Sequence, residues 1–239
     1  MPSDGRRDNG GVRSDPLREE ERESRWEAAP AIALLIALQV TLAAVSKAND
    51  WPLGGLGWWV WLVPVAPEVA LLAPLALSRP LHRLEQSGHR RTLALSLLGL
   101  VVAANGMLLV ALLRSLIGGD EKSGSELLFK ALSVWATNVI VFGLAYWAFD
   151  RGGPVRRMRP DPPPPDFQFP QMENPGLAEP GWHPRLLDYI YVSFTNSIAF
   201  SPTDAMPLTR RAKFLMLCES AMSALTVLLV AARAVNIFQ

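Results

Sequence analysis

The amino-acid sequence predicts an all-α integral membrane protein, a polytopic helix bundle of about five transmembrane helices plus one re-entrant, pore-like half-helix. Hydrophobic residues make up 50% of the 239-residue chain, whereas charged residues make up only 19%. The charges are grouped in short blocks, and several stretches between them are apolar over about 18 residues or more, the length that an α-helix needs to cross a bilayer. We therefore expect the lipid bilayer to surround most of the chain.

The amino-terminal part divides into a charged tail and a bundle. Residues 1–28 are rich in arginine and glutamate and are expected to form a disordered tail, with a nascent helix near the membrane as the alternative. Residues 29–149 are expected to form a bundle of four transmembrane helices, and Pro64, Pro67 and Pro74 should kink the second because proline lacks a backbone donor. The predicted spans are 30–47, 57–77, 92–117 and 126–149.

The carboxy-terminal part begins with residues 150–185, which are rich in arginine and proline and are expected to form an extended linker without a core of its own. Residues 186–239 are expected to form a pore-loop-like segment followed by the last transmembrane helix, over 214–238. The polar and aromatic run 186–200 is too short to cross a bilayer. We expect it to enter the membrane and return to the same side.

The distribution of arginine predicts the orientation. Residues 1–28, 79–91 and 150–185 are rich in arginine, whereas 48–56 and 118–125 are not. By the positive-inside rule, the amino terminus is expected on the cytoplasmic side of a bacterial inner membrane, in a multi-pass arrangement. Arg210, Arg211 and Lys213 then stay inside only if 186–200 dips in and returns. The alternative is a short, tilted crossing helix that leaves these cations outside.

Several classes of function find no support in the residues. The single cysteine, Cys218, excludes an internal disulfide and a thiolate zinc site, and the three histidines, His82, His89 and His183, fall in predicted loops. No nucleophile–base motif and no phosphate-binding glycine loop is present, so we expect no enzyme activity and no cofactor. The basic segments lack interleaved aromatic residues, which argues against nucleic acid as a partner.

Residues 193–204 read Ser-Phe-Thr-Asn-Ser-Ile-Ala-Phe-Ser-Pro-Thr-Asp, and Pro207, Arg211 and a helix that carries Glu219 follow them. This order resembles the pore helix, filter and inner helix of the two-transmembrane potassium-channel family. The ending is also similar to that of a group of bacterial polytopic membrane proteins, a similarity that implies a fold and no activity. The channel resemblance implies a homo-oligomer that admits monovalent cations. Its polar vestibule would be lined by Thr195, Asn196, Ser201, Thr203 and Asp204.

The filter departs from the channel pattern. Where the family has Gly-Tyr-Gly, this chain has Ser201-Pro202-Thr203. A potassium filter turns backbone carbonyls toward the ion with the help of glycines, whereas proline fixes φ and lacks a backbone donor. Potassium selectivity of the family type is therefore not expected.

A second group of candidate residues is polar within the predicted spans. Glu219, Thr226 and Arg233 recur every seven residues on the last helix and therefore share one face. Such side chains in hydrocarbon usually face protein or water, so they indicate either an ion or proton path or a clamp between helices. The expected intramembrane network consists of Glu68, Asn105, Asn138, Glu219, Thr226 and Arg233.

Two functions remain open from the sequence. The first is an ion-channel-like or transport pore with a degenerate selectivity filter. The second is a non-conducting membrane scaffold or accessory subunit that uses the same polar run to dock a partner protein.

Overall fold

The computed structural model describes residues 16–53, 55–76, 89–118, 123–157, 160–202 and 204–237. This part of the chain is mostly helical. The longer helices are α1 (Pro16–Ala48), α2 (Val65–Ala76), α3 (His89–Gly118), α4 (Gly124–Phe149), α5 (Leu186–Ala199) and α6 (Arg210–Ile237).

Three helices are long and apolar enough to cross a membrane: Trp26–Ala48 in α1, Leu95–Gly118 in α3, and Gly124–Gly152, which comprises α4 and the turn after it. They correspond to the first, third and fourth predicted spans, so the expectation of a helical protein with membrane-spanning segments is confirmed at that level. The last helix, α6, has 28 residues but is not among these three over the described residues.

The second predicted span differs from the structure. Its first part is a five-residue 3₁₀ turn, Trp58–Leu62, and α2 begins only at Val65 and has 12 residues. Such a helix is about 18 Å long, well short of the bilayer core of about 30 Å. Pro64 and Pro67 explain the break, because neither has a backbone N–H to donate within a continuous helix.

Residues 16–28, the described part of the expected tail, are helical. Helix α1 begins at Pro16 and continues without interruption into the apolar segment. Residues 16–28 are mostly leucine, arginine, glutamate and alanine, which have high helix propensity, and a proline is well tolerated in the first helical turn. The apolar segment thus supplies the nucleus from which this charged stretch extends as helix.

Residues 150–185 are expected to lack a core of their own, and their described part packs on the helices as a cap. The strand Phe167–Gln168 (β1) pairs antiparallel with Met206–Pro207 (β2). Phe167 and Phe169 are buried and lie with their rings against Tyr189 of α5. The prolines on either side keep this stretch extended, so two phenylalanines two residues apart point to the same side and insert together. We call residues 150–185 the cap.

Helix α4 is the central element, because it packs against α1, α3, α5 and α6. Its contact with α5 is close at Gly143, where an added Cβ would lie 2.8 Å from Ile190 Cγ1 and 2.9 Å from Ile190 Cα. Only glycine permits this approach, as small residues do at close helix–helix contacts in membranes. Helices α5 and α6 also pack against each other, so α4, α5 and α6 enclose a common interior.

Candidate functional site: a buried carboxyl between three helices

Helix α5 positions the candidate site. At its start the backbone N–H of Arg185 donates to the Asp188 carboxylate (2.7 Å), and at its end Phe200 has the left-handed conformation (φ 53°) that closes the last turn. One face of the helix is buried against α4 and α6, and the opposite face is exposed. The buried face carries Tyr189, Val192, Ser193 and Asn196, and the exposed face carries Leu187, Tyr191, Phe194 and Ile198.

The carboxyl group of Glu219 lies at the centre of this interior and is fully buried. Its Oε2 accepts hydrogen bonds from the Tyr146 hydroxyl of α4 and from Asn196 Nδ2 of α5, the latter at 2.6 Å. Its Oε1 is hydrogen-bonded to the Ser193 hydroxyl. Glu219 forms no ion pair with any described residue. We call these four residues the Glu219 cluster.

The hydrogen-bond geometry around Glu219 is compatible with a proton on its carboxyl group. A serine hydroxyl has one hydrogen to donate, and Ser193 Oγ lies 2.7 Å from the backbone oxygen of Val139, which can only accept. If Ser193 donates to Val139, the hydrogen between Ser193 and Glu219 must come from the carboxyl group. A neutral carboxyl also avoids the cost of an isolated buried charge, which is large unless a cation pairs with it.

Asn196 is held in place by further bonds. Its Nδ2 also donates to the backbone oxygen of Met216 (3.1 Å), and its Oδ1 accepts from the Ser220 hydroxyl (3.1 Å). The amide therefore links α5 to one turn of α6 on both sides of Glu219. This arrangement fixes the orientation of the Glu219 carboxyl.

A second chain of polar groups begins one turn farther along α6. Asn138 Nδ2 donates to Ser223 Oγ (3.0 Å), and Asn105 Nδ2 donates to Asn138 Oδ1 (3.1 Å). All three side chains are buried. These bonds connect α3, α4 and α6, so Asn105 and Asn138 lie near the Glu219 cluster without contacting its carboxyl.

The other expected network residues are elsewhere. Glu68 is buried and accepts a bond from Gln39 Nε2 of α1 (2.6 Å), and nothing joins it directly to Glu219. Thr226 donates to the backbone oxygen of Met222 within its own helix (2.8 Å). The Arg233 side chain lies outside the described residues.

Among the described candidate vestibule residues, the structure separates Asn196 from the exposed ones. Asn196 is buried in the Glu219 cluster, whereas Ser201 and Asp204 are exposed. Thr195 is half-buried and its hydroxyl contacts the backbone oxygens of Tyr191 and Val192, both at 3.0 Å. Thr203 lies outside the described residues.

A second polar cluster, centred on Asp150, was not predicted from the sequence. Its Oδ1 accepts from the backbone N–H groups of Asp166 (2.7 Å) and Phe167 (3.3 Å), and its Oδ2 accepts from the Tyr189 hydroxyl (2.5 Å). The guanidinium of Arg157 lies 3.6 Å from Asp150 Oδ2 and donates to the Tyr189 hydroxyl. Asp150 and Arg157 are buried, so this cluster attaches the cap to α4 and α5.

Tyr189 remains a donor in this cluster. Burial raises the pKa of its phenol well above the usual range, and the Arg157 guanidinium opposes that shift without cancelling it. The phenol therefore keeps its hydrogen and gives it to Asp150. In the sequence, Arg157 was indistinguishable from the neighbouring loop arginines. The one feature of the sequence that could have indicated this cluster is Asp150, an aspartate directly after a long apolar helix.

Gln39, Tyr146 and Ser193 were likewise missed. Gln39 was detectable as an amide inside an apolar segment, whereas Tyr146 and Ser193 lie where such residues are common.

No group of three or more metal-binding side chains occurs within the part of the chain that is described. No family model, curated protein or solved structure matches the chain. The resemblance to potassium channels therefore stays a prediction.

Proposed function

We propose that the protein is a multi-pass protein of the bacterial inner membrane with a transport-type function, and that Glu219 binds and releases a proton during its cycle. The proposed topology has about five crossing segments, of which the turn Trp58–Leu62 and α2 together form the second. The amino terminus is cytoplasmic, and α5 is a re-entrant segment. The observation that carries the proposal is that the Glu219 carboxyl is fully buried. It accepts hydrogen bonds from α4 and α5 and has no cationic partner among the described residues.

The chemistry of the cluster favours this function over a clamp between helices. A clamp needs only hydrogen bonds, which an amide at position 219 would supply without burying an ionisable group. Ionisable side chains inside membrane proteins are costly and commonly lie on ion or proton paths. Tyr146, Ser193 and Asn196 can each donate to the carboxylate once the proton has left, so both protonation states have partners.

The channel-like hypothesis requires more than one copy of the chain. The buried Asn196 amide is engaged by Glu219 and α6, so Thr195, Ser201 and Asp204 are the described residues left to line a vestibule. A pore of the potassium-channel type also forms around an axis shared by several subunits. We therefore propose a homo-oligomer in the lipid bilayer, with protons or other monovalent cations as the transported species.

The test is ion flux in liposomes that contain the purified full-length chain. We expect a pH gradient to dissipate faster than in empty vesicles, and Glu219→Gln to abolish the increase. Gln resembles the protonated acid, because its Nε2 can donate to Ser193 while its Oε1 accepts from Tyr146, so the variant should fold. The matched control is Glu179→Gln, which changes an exposed carboxyl in the cap and should leave flux unchanged.

Two results would count against the proposal. Wild-type vesicles that pass no H⁺, Na⁺ or K⁺ above the empty background would remove the transport function. Flux that is unchanged in Glu219→Gln would keep transport but reject Glu219 as the site. Asp204→Asn separately tests the vestibule, since flux of Na⁺ or K⁺ should fall only if that exposed carboxylate faces the path.

The scaffold function is favoured by one observation, the exposed face of α5. Leu187, Tyr191, Phe194 and Ile198 recur at helical spacing, and their side chains are partly exposed in a single copy, although the Phe194 ring contacts Trp135. A docked partner helix would cover them, and so would lipid. Absence of flux combined with co-purification of one partner that Phe194→Ala releases would favour the scaffold.

A further inference from the structure

A small cavity of about 10 Å³ lies between α1, the turn Trp58–Leu62, α3 and α4. Gln39, Trp61, Asn105, Ser133 and Thr137 supply its polar lining, and Glu219 is not among the lining residues. A cavity of this size has room for about one water molecule. It therefore forms a separate site, away from the Glu219 cluster.

Three of the lining residues end in buried polar atoms without a hydrogen-bond partner among the described residues: Gln39 Oε1, Asn105 Oδ1 and Trp61 Nε1. Flipping either amide group would exchange its oxygen and nitrogen atoms and break an existing hydrogen bond, because Gln39 Nε2 donates to Glu68 and Asn105 Nδ2 donates to Asn138. Buried polar groups in proteins are nearly always satisfied by protein or by ordered water. These atoms therefore need a small polar ligand.

The set consists of two acceptors and one donor, which is the complement of a single water molecule. Water can donate one hydrogen to each amide oxygen and accept the indole N–H with a lone pair, and buried waters typically make about three such bonds. A metal cation fits poorly, since the indole N–H would direct its hydrogen at the ion. We propose that the cavity binds one structural water molecule, held by Gln39, Trp61 and Asn105.

This water joins two groups of polar side chains that are otherwise separate. On one side it meets the Gln39–Glu68 pair of α1 and α2, and on the other the Asn105–Asn138–Ser223 chain of α3, α4 and α6. The short helix α2 is thereby connected to the centre of the bundle. The site does not depend on the transport function of Glu219 and would serve a scaffold equally.

The direct test is an experimental map of the full-length chain in lipid nanodiscs, at a resolution that shows ordered water. We expect one peak within about 2.7–3.2 Å of all three polar atoms. The proposal is overturned if the side chains turn toward one another and leave no peak. A peak with shorter contacts to several oxygens and none to Trp61 Nε1 would indicate a cation and would equally overturn it.

Thermal unfolding provides a second test that needs no map. Trp61 and Asn105 share no direct hydrogen bond, so their energetic coupling would run through the water. The Tm loss of the Trp61→Phe, Asn105→Ala double variant should be smaller than the sum of the two single losses. Trp61→Phe combined with Thr226→Val, a buried position outside the cavity, should be additive. Additive losses in both pairs would contradict the shared water.

Discussion

At the scale of single residues, the Glu219 carboxyl and the Arg157 guanidinium are two different solutions to burying an ionisable group. Glu219 is fully buried and has no cationic partner among the described residues, and burial without a cation favours the neutral acid. Arg157 cannot lose its proton, so it is buried beside the Asp150 carboxylate and the Tyr189 ring, 4.9 Å from the ring centroid. The first arrangement can change its charge, and the second cannot. This difference is why we assign function to Glu219 and attachment of the cap to Arg157.

The attachment role makes Arg157 sensitive to replacement. Arg157→Ala leaves the buried Asp150 carboxylate without its cation, and breaking such a pair costs about 3–5 kcal/mol of unfolding free energy. Arg156→Ala is the matched control, because that side chain is exposed and should change stability by less than about 0.5 kcal/mol. Thermal unfolding in detergent, with limited proteolysis of residues 150–185, measures both. Equal effects of the two variants would show that Arg157 does not attach the cap.

The residue scale also shows how far the sequence leads to the candidate site. Glu219, Asn105 and Asn138 stand out because each is polar within an apolar stretch. A polar side chain is energetically costly there unless it has a bonding partner or a function. Their partners cannot be read from the chain, since Tyr146 and Ser193 reach the carboxyl from positions 73 and 26 residues away. Such pairings depend on the relative rotation of α4, α5 and α6, which hydropathy does not encode.

At the scale of elements, the hydropathy of the sequence was sufficient to predict helices α1, α3 and α4 but not the other elements. These helices are continuous apolar stretches without a proline in their apolar interior other than Pro30. For the second predicted span, the prolines indicate a kink, whereas the structure has a break between the turn Trp58–Leu62 and α2, so α2 is shorter than the predicted span. The packing of the cap was not predicted, because it depends on Phe167 and Phe169 lying against the distant α5. Local composition cannot report a core that forms by long-range contact.

The contact between α4 and α5 yields a prediction at the same scale. Gly143→Ala places a methyl group within 2.9 Å of the Ile190 backbone, so α5 must shift, and such overpacking costs about 1–3 kcal/mol. Gly99→Ala is the control, because an added Cβ there meets nothing within 4 Å. That variant should be neutral or more stable by up to about 1 kcal/mol. Chemical or thermal unfolding of both variants in one detergent makes the comparison, and a stabilised Gly143→Ala would disprove the close packing.

At the scale of the whole molecule, three apolar helices fit a protein whose solvent is lipid. The proposed path of α5 follows from the cations on either side of it and determines where the Glu219 cluster is accessible. If α5 returns to the side it entered from, the cap and the end of α5 face the same compartment. If α5 crosses, Ser201 and Asp204 face the opposite compartment.

Cysteine labelling separates these arrangements. In a Cys218→Ser background, cysteines introduced at Ser201 and at Arg156, both exposed, should react with a membrane-impermeant reagent from the same, cytoplasmic side. The expectation follows from the positive-inside rule applied to the cap and to Arg210, Arg211 and Lys213. Reaction from opposite sides would show that α5 is a short crossing helix and would overturn the re-entrant path.

The central claim is that Glu219 holds an exchangeable proton inside the folded protein. Infrared spectroscopy of the full-length chain in lipid near neutral pH tests it directly, since a protonated carboxyl has a C=O band that a carboxylate lacks. We predict that the difference between wild type and Glu219→Gln contains this band, that the band shifts in D₂O, and that Glu179→Gln shows no such difference. If wild type and Glu219→Gln give the same protonated-carboxyl absorption, Glu219 is ionised and the proposed proton site does not exist.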